Sequence, residues 1–314
     1  GSDEEMLMDK SIRIKKQGMH KAWPYLLAAP YVLCYIAFTL YPTFYSLFLS
    51  FFDWNGIKAM KFVGLTNYIN LLTKDKLFWT AIWNTVQFML FSVPLQTIVG
   101  LLLANAVFSL KRTKRAFETI FFLPYIIAPI AIGAIFSNLF DWQYGYINEM
   151  LIKMGLIDEG IYFLQNETMT RVIIVMLQVW RHFGYCMVIY MAGMTAISPE
   201  IYEAARIDGA NEWQLFSKIT VPQLSNLTVF LIMTSIINGM QLYEIPKQLY
   251  AGTTTATGGP GYSAYTIIWK FINDAFSNKM RLGYGAALCY ILFVIIMAFS
   301  LLSRRISSRK EADS

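Results

Sequence analysis

Four polar side chains share one predicted helix face inside a run of apolar residues, 172–198. Arg181 and His182 are the only charged or titratable basic residues of that run, and they stand with Gln178 and Tyr185 at the helical spacing i, i+3, i+4, i+7. Amide and guanidinium groups hydrogen-bond hydroxyls, and a guanidinium also binds carboxylates and phosphates. Ionisable groups in such apolar runs are costly and mark functional sites by default. This face is therefore a candidate binding surface.

A second polar face is predicted in the run 219–243, where Thr234, Ser235, Asn238 and Gln241 follow a similar spacing. Two such faces opposite each other could line a pathway for a hydroxyl-rich solute. Three roles stay open for Arg181. It could hydrogen-bond hydroxyls, bind a carboxylate or phosphate of the solute, or pair with a carboxylate or backbone carbonyl of another chain.

The composition excludes a water-soluble globule. Of the 314 residues, 56% are apolar and 15% charged, against about 45–50% and about 25% in soluble domains. The net charge of +6 does not indicate a nucleic-acid partner, because the Lys and Arg residues lie mostly at the ends of apolar runs. The cysteines and histidines have no disulfide or metal-ligand spacing, and no carboxylate pair is predicted at membrane depth, so we predict no metal site and no enzyme.

We predict an all-α integral membrane protein with six transmembrane helices, since a bilayer core requires about 20 apolar residues per helix. The runs of that length are 22–52, 77–110, 119–140, 172–198, 219–243 and 282–303. The connector 111–115 holds four basic residues, which predicts a cytoplasmic location by the positive-inside rule. Both termini then face the cytoplasm as well, and the segments 53–76, 141–171 and 244–281 face outward.

The domain organisation follows from these spans. We predict a cytoplasmic N-terminal tail, 1–21, whose Gly1-Ser2 start is typical of a cloning remnant. A transmembrane domain, 22–303, and a cytoplasmic C-terminal tail, 304–314, follow it. The lipid bilayer of a bacterial-type plasma membrane is the predicted location.

The connector 198–222 contains residues that are typical of helix starts and helix ends. Ser198 is a predicted N-cap, Pro199 stands at the first helical position and Gly209 is a C-terminal stop, so a short helix is expected between them. A second short helix is predicted from an Asn211 cap to Ile219. Because a helix of two or three turns is marginal alone in water, we expect this connector to dock on a cytoplasmic partner.

This connector also carries a recognisable signature. Its residues occur in the order and spacing Glu203, Ala204, Ala205, Gly209, Ile219, Val221 and Pro222. The string resembles the E-A-A…G…I-x-L-P signature of permease subunits in binding-protein-dependent ABC importers, with Val for Leu at 221. The stretches 62–68, 83–85, 192–194 and 258–261 extend the similarity to the maltose-transporter-type, carbohydrate-uptake branch over most of the chain.

The resemblance implies an ABC importer permease fold with a cytoplasmic coupling helix in the loop 198–222. It implies that two ATPase subunits dock on that helix, that a second, non-identical permease completes the pathway, and that an extracellular sugar-binding protein delivers a carbohydrate, most simply an oligosaccharide. ATP and Mg are expected on the ATPase, and no cofactor in this chain. The docking residues expected from the signature are Glu203, Ala204, Ala205, Asp208 and Gly209.

The resemblance also places the sugar pathway on the two helices that flank the signature. The positions that correspond are Gln178, Arg181, His182, Tyr185, Ser235 and Asn238, with Tyr185 expected to stack on a sugar ring. Arg181-His182 departs from the pattern of neutral-sugar permeases. The alternatives are therefore a polyol, glycerol phosphate or uronate-type acidic sugar carried by the same machinery, or an ion-gradient-driven secondary transporter. The Gly-rich stretch 252–261 lacks a phosphate-loop ending and is expected either to contact the binding protein or to form a flexible turn.

Overall fold

The computed structural model describes residues 23–110, 112–251, 258–277 and 280–312, and the predicted tail 1–21 and Lys111 lie outside them. The described part is largely helical. Its helices are α1 Trp23–Tyr35, α2 Tyr41–Leu49, α3 Thr66–Thr73, α4 Lys76–Phe108, α5 Lys114–Ile126, α6 Pro129–Leu139, α7 Tyr146–Lys153, α8 Glu167–Thr195, α9 Pro199–Ile207, α10 Glu212–Leu215, α11 Val221–Gln223, α12 Ser225–Met240, α13 Glu244–Leu249, α14 Ile267–Phe276 and α15 Leu282–Ala312. Two-residue strands β1 Phe52–Asp53 and β2 Lys61–Phe62 pair antiparallel, with Phe52 opposite Phe62.

Four helices of the described residues are long and apolar enough to cross a bilayer. They are Tyr25–Leu49, Lys76–Phe108, Glu167–Thr195 and Leu282–Leu301, the first joined across a π-helical turn, Ile36–Leu40. Two bent pairs, α5 with α6 and α10–α11 with α12, have the composition of spans when each pair is taken together. The chain thus has four to six candidate spans, and the predicted count of six applies if each bent pair crosses once.

The predicted third span, 119–140, is not one straight helix. It is divided into α5 and α6, which meet at 90°. Pro129 stands at the first position of α6, and the two residues before it, Ile127 and Ala128, have extended ψ angles of 134° and 130°. A residue before proline is disfavoured in the helical region, so the chain turns there. Pro94 and Pro124, in contrast, lie inside α4 and α5 without ending them.

Close helix contacts depend on glycine at two positions of the bundle. A Cβ on Gly100 of α4 would stand 2.5 Å from the Cβ of Cys186 on α8, and a Cβ on Gly184 would meet the carbonyl oxygen of Phe121 on α5. Small residues let membrane helices approach closely where no water drives them together. The helix α8 is therefore packed between α4 and α5, and this positions its polar face.

The predicted outer segments are folded and anchored by buried amides. Asn67 of α3 donates from Nδ2 to the carbonyl oxygens of Ser50 and Phe52 at 2.9 and 3.0 Å. Asn84 of α4 donates to the carbonyls of Tyr262 and Tyr265 at 2.7 and 3.1 Å. Since buried backbone carbonyls require such partners, these asparagines fix the loops to the helix ends.

Candidate functional site

A small polar cavity of about 200 Å³ brings together four of the six predicted pathway residues. Gln178, Arg181, His182 and Asn238 line it. Arg181 lies fourteen residues from either end of α8, which is about 21 Å along the helix. The cavity is thus at mid-depth of the bundle, where the sequence places it.

Helix interruptions surround this cavity and supply the rest of its lining. The break between α5 and α6 contributes Tyr125 and Pro129. The helix α12 ends at Met240, and the turn that leads to α13 contributes Gln241, Tyr243 and Glu244, with Leu242 and Ile245. Irregular backbone at membrane depth is tolerated where it is buried in protein or lines a cavity.

The hydrogen bonds of His182 define its protonation state. Arg181 Nη1 lies 3.4 Å from His182 Nε2, and a guanidinium can only donate, so Nε2 is the acceptor. His182 Nδ1, 2.9 Å from the carbonyl oxygen of Gln178, then carries the proton and donates to that oxygen. His182 is therefore a neutral side chain that holds the arginine in place.

Two polar atoms among the described residues of the cavity lining have no hydrogen-bond partner. Gln178 is buried, and its Oε1 has no partner, while Arg181 has a buried Nε without one. The guanidinium lies 5.7 Å from the ring centroid of Tyr125, and the Glu244 carboxylate lines the same cavity. Because buried polar atoms are seldom left without partners, this arrangement is suited to a polar ligand that supplies both donors and acceptors.

Two predicted pathway residues are not part of the lining. Tyr185 stacks on Tyr125, with ring centroids 4.9 Å apart and planes at 21°, so it supports an aromatic residue of the cavity wall. Ser235 is buried beside the cavity without lining it. Thr234, on the same predicted face, donates to the carbonyl of Phe230 in its own helix at 2.9 Å.

Three polar residues of the lining, Tyr125, Tyr243 and Glu244, are not predicted from the sequence. Glu244 was assigned to an outer segment, because the predicted fifth span ends one residue before it. The sequence carries one signal for Glu244, since Asn238, Gln241 and Glu244 follow one another at a spacing of three; all three are exposed in the structure. Tyr125 has no comparable signal, because it faces α8 only through the close packing of α5 on Gly184 of α8.

The connector after α8 has the predicted local structure. Ser198 Oγ accepts from the backbone N–H of Glu200 at 3.3 Å, and Pro199 begins α9. Gly209 has a φ of +85° with open space around it, so the left-handed conformation, not crowding, requires glycine. Asn211 and Gln214 form reciprocal 2.9 Å bonds that cap α10.

The helix α9 projects from the bundle without a buried residue. Two side-chain contacts connect it to the residues that follow: the Tyr202 hydroxyl lies 2.9 Å from Thr220 Oγ1, and Arg206 pairs with Glu212 at 3.3 Å. Ile207 and Trp213 are 86% and 68% exposed. Of the five expected docking residues, Glu203, Ala204, Asp208 and Gly209 are exposed and Ala205 is half-buried. The segment therefore has an exposed apolar and acidic surface.

A network of charged residues lies at the bundle end opposite α9. The ammonium group of Lys270 on α14 lies 2.7 Å from Asp75 Oδ2 and 2.9 Å from Asp274 Oδ2. Arg281 pairs with Asp274 Oδ1 at 3.0 Å, and the Tyr284 hydroxyl donates to Asp75 at 2.7 Å. These residues form one wall of an open cavity of about 1320 Å³. We call them the charge network.

Within the charge network, Asp75 also begins α4, because its Oδ1 accepts from the backbone N–H of Phe78 at 3.1 Å. Burial alone would raise the pKa of this carboxyl group. The hydrogen bonds from Lys270 and Tyr284, with the attraction of the Lys270 charge, outweigh burial and hold the pKa of Asp75 below its ordinary value of 3.8. Asp75 is thus ionised and fixes three helices together.

These features define a membrane permease: a bundle with interrupted helices around a polar mid-depth cavity and a projecting helix that bears the E-A-A signature. Residues 96–311 match the family described as "Binding-protein-dependent transport system inner membrane component". The chain belongs to this family, and the predicted family membership is confirmed. It is a transport subunit of the inner membrane and not an enzyme.

Individual relatives are similar to this chain over nearly its full length. The lactose transport system permease protein of Rhizobium radiobacter is 33% identical over 279 residues, covering 88% of this chain and 91% of that protein. The arabinooligosaccharides transport system permease protein of Bacillus subtilis is 32% identical over 289 residues, covering 91% and 89%. A chain of a bacterial alginate ABC transporter, solved in complex with an alginate pentasaccharide-bound periplasmic protein, has a TM-score of 0.80 at 22% identity, covering 95% and 98%. The last comparison confirms the ABC importer permease fold.

Proposed function

We propose that this chain is one of two non-identical permease subunits of an ATP-driven importer that carries an oligosaccharide into the cytoplasm. The cavity around Arg181 is the proposed substrate site. The observation that carries the proposal is the unused hydrogen-bonding capacity of Gln178 and Arg181 halfway along α8. The names of the relatives, which refer to lactose and arabinooligosaccharides, support a carbohydrate.

The position of exposed polar residues supports a pathway at this face. Asn238, Gln241 and Glu244 are exposed next to the mid-depth cavity. A carboxylate exposed to hydrocarbon at that depth costs several kcal/mol. The face that bears Glu244 is therefore directed to a water-filled pathway or to the second permease, and lipid covers other faces.

The proposed coupling runs through α9. An ATPase subunit, which binds ATP and Mg, docks on the surface formed by Glu203, Ala204, Asp208 and the exposed Ile207. Because α9 is held to the bundle by short connectors and the Tyr202–Thr220 bond, movement of the ATPase would move it as a rigid lever. Outward and inward openings then alternate around the site, with both termini on the ATPase side.

The extracellular binding protein is proposed to dock at the opposite end of the bundle. The described part of the Gly-rich stretch there has Gly258, Gly259 and Gly261 at φ of +101°, +75° and +55°. Residues 252–257 of that stretch lie outside the described residues. The folded loops anchored by Asn67 and Asn84 give this end a defined surface for such a partner.

The test of this function combines purification with transport. The full chain, purified from membranes of its own host, is expected to carry an ATPase subunit and a second permease with it. We expect Glu203→Gln to lower ATPase association roughly tenfold, the effect of losing one charge-assisted contact. Glu118→Gln, the same change on α5 outside the signature, is the matched control and is expected to keep both association and uptake.

Two outcomes would contradict the proposal. Purification of the chain without any ATPase subunit would exclude an ATP-driven importer and favour a secondary transporter. Normal sugar uptake by a Glu203→Gln, Gly209→Val double variant would show that α9 does not couple the ATPase to transport.

A further inference from the structure

We propose that Glu244 balances the charge of Arg181 and thereby makes the mid-membrane site selective for uncharged sugars over acidic ones. This inference rests on the proposed function, because it concerns the substrate class of the same cavity. It assigns a specificity-determining role to a residue outside both predicted polar faces.

The position of Glu244 brings its charge to the site. It is the first residue of α13 and lines the cavity with Arg181, from the turn that follows α12. Both side chains line the same cavity, so their charges face each other across it. Both residues lie in the described part of the chain, and no guanidinium nitrogen of Arg181 lies within 4.0 Å of a carboxylate oxygen of Glu244. A gap therefore separates the guanidinium from the carboxylate.

The remaining lining adds no further charge. His182 is neutral, because its Nε2 accepts from Arg181 and its Nδ1 donates to Gln178. Tyr125 and Tyr243 contribute hydroxyl groups and aromatic rings. Lys247, one turn further along α13, is not part of the lining, and its Nζ donates to the Tyr243 hydroxyl at 2.6 Å. The charges that line the cavity are thus one positive and one negative.

This pairing distinguishes a hydroxyl from a carboxylate. A sugar hydroxyl can accept a hydrogen bond from Arg181 and at the same time donate one to Glu244. A sugar carboxylate can only accept, so it would satisfy Arg181, leave Glu244 without a donor and be repelled by its charge. The cavity therefore suits a neutral sugar, although the bacterial alginate transporter, which imports an acidic polysaccharide, shares the fold.

The test measures direct sugar binding to the complete transporter in lipid nanodiscs, without the binding protein, so that only the membrane site is assayed. The probes are radiolabelled lactose, arabinotriose and maltotriose, with trigalacturonate as the acidic trisaccharide. We expect the wild type to prefer at least one neutral probe. Glu244→Gln is expected to shift the acidic-to-neutral affinity ratio at least about tenfold toward trigalacturonate, because one nearby charge is removed.

Two further variants test the cause of the shift. The double variant Arg181→Gln, Glu244→Gln is expected to return the ratio toward that of the wild type, since the site is again neutral. Glu149→Gln is the matched control, because Glu149 pairs with Lys153 at 2.6 Å on the exposed helix α7. It is expected to leave the ratio unchanged.

The outcomes separate this inference from the proposed function. A wild type that binds trigalacturonate more tightly than every neutral probe, or a Glu244→Gln variant with an unchanged ratio, overturns the inference and leaves sugar import intact. Failure of all four probes to bind any form of the transporter overturns the proposed substrate site itself, and the inference falls with it.

Discussion

Two groups of charged residues at different depths of the bundle differ in how completely they are paired. In the charge network, Lys270 contacts two carboxylates within 3 Å and its side chain is only 4% exposed. In the mid-membrane cavity, Arg181 and Glu244 face each other across a gap, and Arg181 keeps an Nε without a partner. Arg281 of the charge network also keeps a buried Nε without a partner. The two groups differ in their carboxylates: Asp75 and Asp274 each contact a cation at 3.0 Å or less, whereas Glu244 has no cation that close among the described residues.

The difference separates two uses of buried charge. A network of close ion pairs connects elements, and removal of one partner destabilises the protein. A pair of charges separated by a gap keeps hydrogen-bonding groups available to a solute, at the expense of stability. Substitutions in the charge network should therefore change unfolding, whereas substitutions in the cavity should change binding.

The largest effect is expected from Lys270→Met. It leaves the carboxylates of Asp75 and Asp274 close together without the cation between them, and breaking a buried pair in this way costs about 3–5 kcal/mol. The free energy of unfolding in detergent micelles measures the effect. A loss below about 1 kcal/mol would show that the network is not structural.

A smaller effect of a different kind is expected from Arg181→Gln. Sugar affinity should fall by about tenfold, since hydrogen bonds to a charged group contribute about 1.5–3 kcal/mol. The free energy of unfolding should change by less than about 1 kcal/mol, because no close ion pair is broken. Equilibrium sugar binding and equilibrium unfolding, measured on the same sample, test the two expectations. If the Arg181→Gln variant kept its sugar affinity but lost stability, the cavity residues would have a structural role and not a binding role.

The pH dependence of the charge network is a third expectation. The pKa of Asp75 is lower in the folded chain than its ordinary value of 3.8, so its contribution to stability is fully present above that value. Stability is then lost as the pH falls from about 3.8 through the lower folded pKa. Thermal unfolding between pH 3 and pH 6 should show a steeper acid decline for the wild type than for Asp75→Asn. Parallel curves would contradict this.

The smallest effect is expected from Lys153→Met. Lys153 pairs with Glu149 at 2.6 Å, a shorter distance than in the charge network, yet both side chains are more than half exposed. Exposed pairs are screened by water and contribute little to stability, so the free energy of unfolding should stay within the error of the measurement. A change as large as that of Lys270→Met would show that distance, and not burial, decides the contribution.

Local signals in the sequence predicted much of this molecule. Ser198, Gly209 and Asn211 predict the ends of α9 and α10 because caps and left-handed stops depend on neighbouring residues alone. The apolar runs predict the long helices for the same reason. The family membership follows from the spacing within one connector, and four of the six pathway residues line one cavity because they share helix faces.

The features that were not predicted depend on contacts between distant parts of the chain. The extended residues Ile127 and Ala128 break an apolar run that reads as one span, and the helix after the break contributes Pro129 to the cavity. Tyr125 reaches the cavity because α5 packs closely on α8 at Gly184. Glu244 comes to mid-depth because α12 ends at Met240. The charge network joins Asp75 to residues about 200 positions away, and no periodicity in the sequence links them.

The charge network also constrains the order in which the chain can mature. Asp75 is made early in synthesis, whereas Tyr284, which donates to it, follows 209 residues later. Lys270 and Arg281 are also late, so Asp75 lacks its side-chain partners until the last long helix has entered the membrane. The network can therefore be complete only after the whole bundle has been inserted. A chain that stops before Lys270 retains an uncompensated carboxylate at the start of α4.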